Sequence, residues 1–295
     1  MKIPKTPGRQ SGREQAGADI PCLKNPPSVK TFQKAVLDYY RLHGRDLAWR
    51  KTSDPYAIMV SEIMLQQTQV ERVGSKFPAF METFPDFRTL AAASLADILL
   101  IWQGMGYNRR AIALQKCARK VIDEHGGRLP PDPEILATFP GIGRATASSI
   151  CAFAFGIPVV FIETNIRRVF IHYFFQDTAT VDDRDLLPLV EKTLCREDPR
   201  TWYNALMDLG TDLRKATENP NRRSRQYTRQ TAFEGSDRKI RGEILRMLLT
   251  KTRCTCQDIA CRYDGDADRI EKILCDLERE GFITRCGDRY SPVSS

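Results

Sequence analysis

Two helical runs meet at Pro140-Gly141-Ile142-Gly143, and this turn limits the fold more than any other stretch of the chain. Glycine at two of its four positions permits positive φ and close approach of another backbone. The next helix begins at about Arg144. Its unpaired N–H groups and those of the turn therefore point outward together, an anion site suited to a DNA phosphate. About twenty residues on, Phe161-Ile162-Glu163-Thr164-Asn165 sets a carboxylate at the head of a further helix, directly after an apolar run. A hairpin that grips backbone, followed by a carboxylate at the edge of a core, suggests chemistry on a nucleotide. Pro-Gly-Ile-Gly alone fits an ordinary helix-to-helix turn equally well, so the other segments have to decide.

The helical pattern continues on both sides. Phe32, Val36, Leu37 and Tyr40 share one face of a helix that Gly44 ends, and Ile58 to Val70 reads as another. Further helices are expected at roughly 71–83, 95–102, 107–124, 132–138, 144–155, 164–175, 183–194 and 199–210, with almost no strand signal before residue 280. Glu62 is the odd residue in its apolar helix. A buried carboxyl is costly unless paired or protonated, and a pKa raised in this way makes a general acid usable near neutral pH. The turn Gly104-Met105-Gly106-Tyr107 presents an aromatic and a Met that can wedge into or stack on bases. In the tail, Ile240, Ile244, Leu245 and Leu248 mark one helix, and Cys256 to Cys261 a short second. Ile270, Ile273, Leu274 and Leu277 mark a third, followed by a hairpin around Cys286-Gly287-Asp288, an order that resembles a winged helix.

The net charge of +8 is unevenly spread. Residues 1–30 hold six Lys/Arg against two acids and residues 214–241 hold nine against three, the pattern of segments that lie along a polyanion. The first of these, rich in Pro and Gly, is expected to be disordered. No apolar run reaches the ~18 residues of a membrane span, and the N-terminus lacks an apolar signal region. Nine irregularly spaced cysteines then read as reduced thiols of a cytoplasmic, nucleoid-associated protein.

In order and with similar spacing, Trp49-Arg50, Asp54-Pro55-Tyr56, Ser61-Glu62-Ile63-Met64-Leu65-Gln66-Gln67-Thr68-Gln69-Val70, Gly104-Met105-Gly106-Tyr107, Pro140-Gly141-Ile142-Gly143-Arg144 and Met207-Asp208-Leu209-Gly210 resemble the helix-hairpin-helix (HhH-GPD) DNA glycosylases. Within that superfamily they are most similar to the MutY adenine glycosylases. The resemblance covers about residues 31–213. It implies an all-α, two-lobed glycosylase domain; charge and periodicity add a basic connector at 214–236 and a small α+β winged-helix-like domain at 237–295. It further implies a base-excision repair enzyme that flips a mispaired base, most readily adenine opposite guanine or 8-oxoguanine, out of double-stranded DNA. By the same resemblance Glu62 is the general acid, Glu163 faces positive charge on the deoxyribose, and Asn165 supports that site. Gln67 and Tyr107 enter the base stack, with Met105 beside them. Gly141, Gly143 and Arg144 grip phosphate, with a monovalent cation at the 139–143 hairpin and no metal held by side chains. Trp49, Arg50 and Asp208 are expected to form the base pocket, with Asp208 accepting from the exocyclic amine of adenine.

The chain also departs from the pattern. Glu163 replaces the family's aspartate, and a methylene moves a carboxylate by about 1.5 Å, a displacement that can cost about 100-fold in rate. Ala145 stands where strand-cutting relatives have a Schiff-base lysine, so a monofunctional enzyme is expected. No cysteine lies between Asp208 and Cys254. We therefore expect no iron–sulfur cluster, with Arg222, Arg223 and Arg225 supplying DNA-facing charge instead. About 60 residues remain for a tail, too few for a MutT-like domain. A thymine or uracil glycosylase for G:T or G:U mismatches, or a non-catalytic DNA binder, are the alternatives. A monomer is expected, with the C-terminal domain available to a protein partner.

Overall fold

The computed structural model describes residues 20–24, 26–228, 235–251, 253–263 and 266–293. Most of the expected basic tail, residues 1–19, and residues 229–234 of the connector lie outside these. Among the described residues, eleven α-helices precede the connector. They are α1 (Val29–His43), α2 (Pro55–Leu65), α3 (Val70–Thr83), α4 (Phe87–Ala92), α5 (Leu95–Trp102) and α6 (Arg109–His125). Then come α7 (Pro133–Leu136), α8 (Arg144–Phe155), α9 (Thr164–Phe174), α10 (Asp183–Thr193) and α11 (Pro199–Ala216). Three of them, α2, α7 and α11, start with Asp-Pro: the carboxylate accepts backbone N–H groups of the first turn and the proline fixes φ where no donor is lost. The Asp54-Pro55 of the motif is thus a helix start.

Two apolar cores result. One gathers α2 to α8; the other gathers α1 with α9, α10 and α11. Helices α2 and α8 belong to both, because Ile58, Ala152 and Phe153 face the second core while Ile63, Met64 and Ile150 face the first. The two-lobed fold therefore has a seam, and α2 and α8 run along it. Residues Ile20 and Leu23, within the stretch expected to be disordered, pack on the second lobe, and Tyr173 donates to the carbonyl of Pro21 at 2.9 Å.

After the connector come α12 (Asp237–Lys251), β1 (Cys254–Thr255), α13 (Cys256–Ala260), α14 (Ala267–Arg279), β2 (Ile283–Cys286) and β3 (Arg289–Pro292). The antiparallel sheet has the order β1-β3-β2, the expected hairpin with one short strand added. Its core is continuous with that of the first lobe. Among the described residues no helix is long and apolar enough to cross a membrane.

The sequence pattern missed two boundaries and one helix. Helix α2 stops at Leu65 instead of running to Val70, and Gln67 in between takes a positive φ of 55°. Helix α4 had no expectation, and α11 runs six residues past Gly210.

Candidate active site

The seam between the lobes brings the expected carboxyl groups together. Glu62 projects from α2 and keeps only a partly exposed edge. Burial pushes its pKa up to about 7; the Ser149 hydrogen bond opposes this, the charge of Glu163 adds to it, and Arg50 opposes it. Ser149 on α8 lies 2.6 Å from Oε2 of Glu62 and 2.9 Å from the Thr146 carbonyl. Serine has one proton for these two acceptors. Donation to Glu62 favours its carboxylate form, so the Ser149 proton works against the burial that raises the Glu62 pKa.

Glu163 is the N-cap of α9. Its Oε1 accepts from the backbone N–H of Asn165 (2.7 Å) and of Ile166 (2.9 Å), while Oε2 has only a 3.4 Å contact with the Asn165 amide. The longer side chain therefore folds back onto the helix end and leaves Oε2 with only that long contact. Burial raises its pKa against the pull of those N–H groups and of Arg168 and Arg167. Asn165 is fixed in turn, since its Oδ1 accepts from Arg168 at 2.6 Å and Arg168 also bonds the Gly210 carbonyl at 2.5 Å. Gly210 is a glycine because α11 presses on α9: a Cβ there would lie 2.4 Å from the Asn165 carbonyl oxygen.

The hairpin between α7 and α8 leads into the helix that carries Ser149. Gly141 has φ of 73°, and a Cβ would meet that of Ala113 at 2.8 Å. Gly143 has an extended φ of −86° and caps α8 without a side chain, so the exposed residues Gly141, Gly143, Arg144 and Ala145 present bare N–H groups and one guanidinium. Gln66 ties the hairpin to α2 by donating to the Gly141 carbonyl at 3.0 Å. The Phe139 and Pro140 carbonyls accept from Ile142 N–H and Cys117 Sγ. All three oxygens thus accept one hydrogen bond each. Gln67 is exposed and Tyr107 partly so; their φ values of 55° and 49° make them the only non-glycine residues with positive φ among those described. Strained backbone of this kind gathers at ligand clamps.

Four expectations are corrected. Asp208 is fully buried, and both its oxygens accept from Arg45 and Arg50 at 2.6–2.8 Å. Burial alone would raise its pKa, but the hydrogen bonds and charge of Arg50, with Arg45, hold the carboxyl below its ordinary range. It anchors the two arginines and has no oxygen left for an adenine amine. Trp49 is buried against Phe77, ring centroids 5.7 Å apart, and so builds the core instead of the pocket wall. Met105 is 1% exposed and packs under its turn. Arg223 turns inward, bonding the Phe175, Gln176 and Thr178 carbonyls at the end of α9. Arg222 and Arg225 remain exposed, paired with Glu218 and, at 3.8 Å, Asp182. Arg50 keeps a side chain 10% exposed and acts on Glu62 by its charge. The sequence reading missed Arg45, Gln66, Ser149 and Arg168. Only Ser149, one helical turn past Thr146 on an apolar helix, left a trace that spacing could have caught.

Comparison with known proteins agrees with this geometry. The family described as HhH-GPD superfamily base excision DNA repair protein matches residues 60–187. An adenine DNA glycosylase of Mycobacterium tuberculosis (strain ATCC 25618 / H37Rv) is 31% identical over 280 residues, 86% of this chain and 90% of that protein. The adenine DNA glycosylase of Homo sapiens is 35% identical over 203 residues, 65% of this chain and 37% of its own length. Among solved structures, a thermostable thymine-DNA glycosylase has a TM-score of 0.57 and 27% identity, covering 62% of this chain and 85% of that one. With nine-tenths of the mycobacterial relative matched and the motif carboxyl groups gathered at one seam, the chain belongs to the adenine DNA glycosylases of the HhH-GPD base excision repair superfamily.

Proposed function

We propose that this protein is a monofunctional adenine DNA glycosylase, which extrudes adenine mispaired with guanine or 8-oxoguanine and hydrolyses its N-glycosidic bond. The observation that carries the reading is Glu62, poised near neutral pKa within range of the second carboxylate, Glu163. Departure of the base leaves oxocarbenium character on the sugar. Glu62 gives its proton to a ring nitrogen of the leaving adenine, and the weakly engaged Oε2 of Glu163 faces the cation until water adds. The base first leaves the stack, with Gln67 and Tyr107 entering it and the exposed 141–145 backbone holding the phosphate. Ala145 offers no amine, so the strand is left uncut.

The reading includes no iron–sulfur cluster. Supporting it, the stretch after α11 is held by hydrogen bonds, from Arg168 to Asn219 (3.1 Å), from Asn221 to the Thr164 carbonyl (2.9 Å) and from Arg223 to the end of α9. It also includes a monomer acting at the nucleoid. Single-turnover assays on A:8-oxoG, A:G, T:G and U:G duplexes, with alkali to reveal abasic sites, test the proposal against a Glu62→Gln control. Adenine release that disappears in the control is expected. Thymine or uracil release would move the specificity, and binding without any abasic product would make the protein a DNA binder.

A further inference from the structure

Tyr107 is held from an unexpected side. Its hydroxyl accepts from Nη1 of Arg238 at 2.6 Å, and that arginine belongs to α12, in the C-terminal domain, 131 residues away. The Arg238 guanidinium also stands 5.7 Å from the centre of the Tyr107 ring, and Arg110 stands 5.5 Å from it. Two residues past Tyr107, Arg109 binds both oxygens of Glu280, at 2.8 and 2.6 Å, and Glu280 takes Arg241 of α12 at 2.5 Å. The first turn of α6 is therefore clamped by α12 and by the residue that ends α14. A non-glycine residue at φ of 49° persists only where its surroundings over-determine it. Here the surroundings include the C-terminal domain.

We propose that Arg238 is a positioning residue for the Tyr107 wedge, through which the C-terminal domain controls base extrusion and the choice of opposite base. This rests on the glycosylase reading for its substrate. A ring fixed at its hydroxyl and over its face meets the estranged base in one pose. A ring without Arg238 samples others, and discrimination between opposite bases falls with it.

The test uses the full chain and the variants Arg238→Ala, Arg238→Lys, Tyr107→Phe and Arg238→Ala/Tyr107→Phe. Each is assayed for single-turnover excision from A:8-oxoG and A:C duplexes and for fluorescence of 2-aminopurine placed at the extruded position. Loss of one charge-assisted hydrogen bond predicts a drop of about 10- to 100-fold in rate for Arg238→Ala, a weaker 2-aminopurine signal and a narrower gap between A:8-oxoG and A:C. Tyr107→Phe should match it, the double variant should be no worse than either, and Arg238→Lys, which still donates to the hydroxyl, should recover part of the loss. Affinity for undamaged duplex should stay within about twofold, which separates positioning from a phosphate contact. Losses that multiply in the double variant, or that fall equally on undamaged DNA, would overturn the proposal, as would an Arg238→Ala variant within twofold of the parent. If the parent releases no base, the glycosylase reading fails, while the 2-aminopurine comparison still decides the role of Arg238.

Discussion

Glu62 titrates near neutral pH because the fold removes water from it and places the charge of Glu163 within range, and activity and stability therefore both fall as pH rises. Above a pKa of about 7 the acid is progressively lost. Single-turnover excision should therefore fall about tenfold per pH unit beyond it. A profile flat from pH 6 to 9 would sink the general-acid role. In stability the folded carboxyl keeps its proton up to about 7, whereas the unfolded one releases it near 4.5. The folded state is thus favoured below the lower value, and rising pH between the two removes stability. At pH 8 the accumulated cost is on the order of 3 kcal/mol. Glu62→Gln, never charged and still able to hydrogen-bond Ser149, should be inactive yet melt higher than the parent at pH 8 and about level with it at pH 4, as scanning calorimetry can check. Asp208 is the contrasting case, a buried carboxylate kept charged by two guanidinium groups. Asp208→Asn leaves Arg45 and Arg50 without a counter-charge and should destabilise the fold by about 3–5 kcal/mol. A denaturant midpoint unchanged by that substitution would restore Asp208 to the base pocket.

At the scale of elements, the Met-Asp-Leu-Gly motif is explained by packing. Asp208 faces the arginines of the first loop, and two residues on Gly210 meets the Asn165 backbone. Gly210→Ala would press a methyl to 2.4 Å from that carbonyl, a contact with backbone that no rotamer relieves. Helix α9 would have to shift, carrying Glu163 and Asn165 with it. We expect excision to drop by about 100-fold, the scale set by a 1 Å misplacement, with DNA affinity nearly kept because the hairpin sits on α7 and α8. Equal loss of rate and affinity would contradict this. The same contacts show what the sequence could and could not reveal. The helices were legible because their apolar faces recur with helical period. The break after Leu65 was not, because Gln66-Gln67-Thr68-Gln69 contains no glycine or proline, and tertiary ties from Gln66 and Arg110 hold the turn. Glu62 stood out as a carboxyl in an apolar run. Ser149 and Arg168 act across 87 and 42 residues of sequence, a separation that local pattern does not carry. Charge density likewise misled at Arg223: a basic cluster suggests DNA, whereas the unpaired carbonyls at the end of α9 are what this guanidinium satisfies.

For the whole molecule, the question is whether the C-terminal domain is a passive appendage or a part of the enzyme, and Glu280 is the residue that tests it. It is largely buried at the junction, where it joins Arg109 of the first lobe to Arg241 of α12. The hydrogen bond from Arg109 lowers its pKa most; burial opposes this, and the Arg241 and Arg109 charges reinforce it. A depressed folded pKa means that the clamp contributes stability above the ordinary glutamate range of about 4.3, and loses it only as pH falls through the lower folded value. The domains should therefore stay docked through neutral and mildly acidic pH. Because Arg109 is well exposed, solvent screens that half of the clamp, and its net value is about 1–2 kcal/mol. Glu280→Ala removes the shared acceptor and leaves Arg241 without it. The apolar core that runs from the first lobe into α12 and α14 remains, so each part should stay folded while the junction loosens. Limited proteolysis should then cut the connector several times faster at neutral pH, and calorimetry should split one transition into two. Both effects should fade once the pH falls far enough to protonate the parent carboxyl, below the ordinary glutamate range. An unchanged cleavage rate and a single transition would mean that the apolar contact alone docks the domain and that the ion pairs only orient α6 beneath Tyr107.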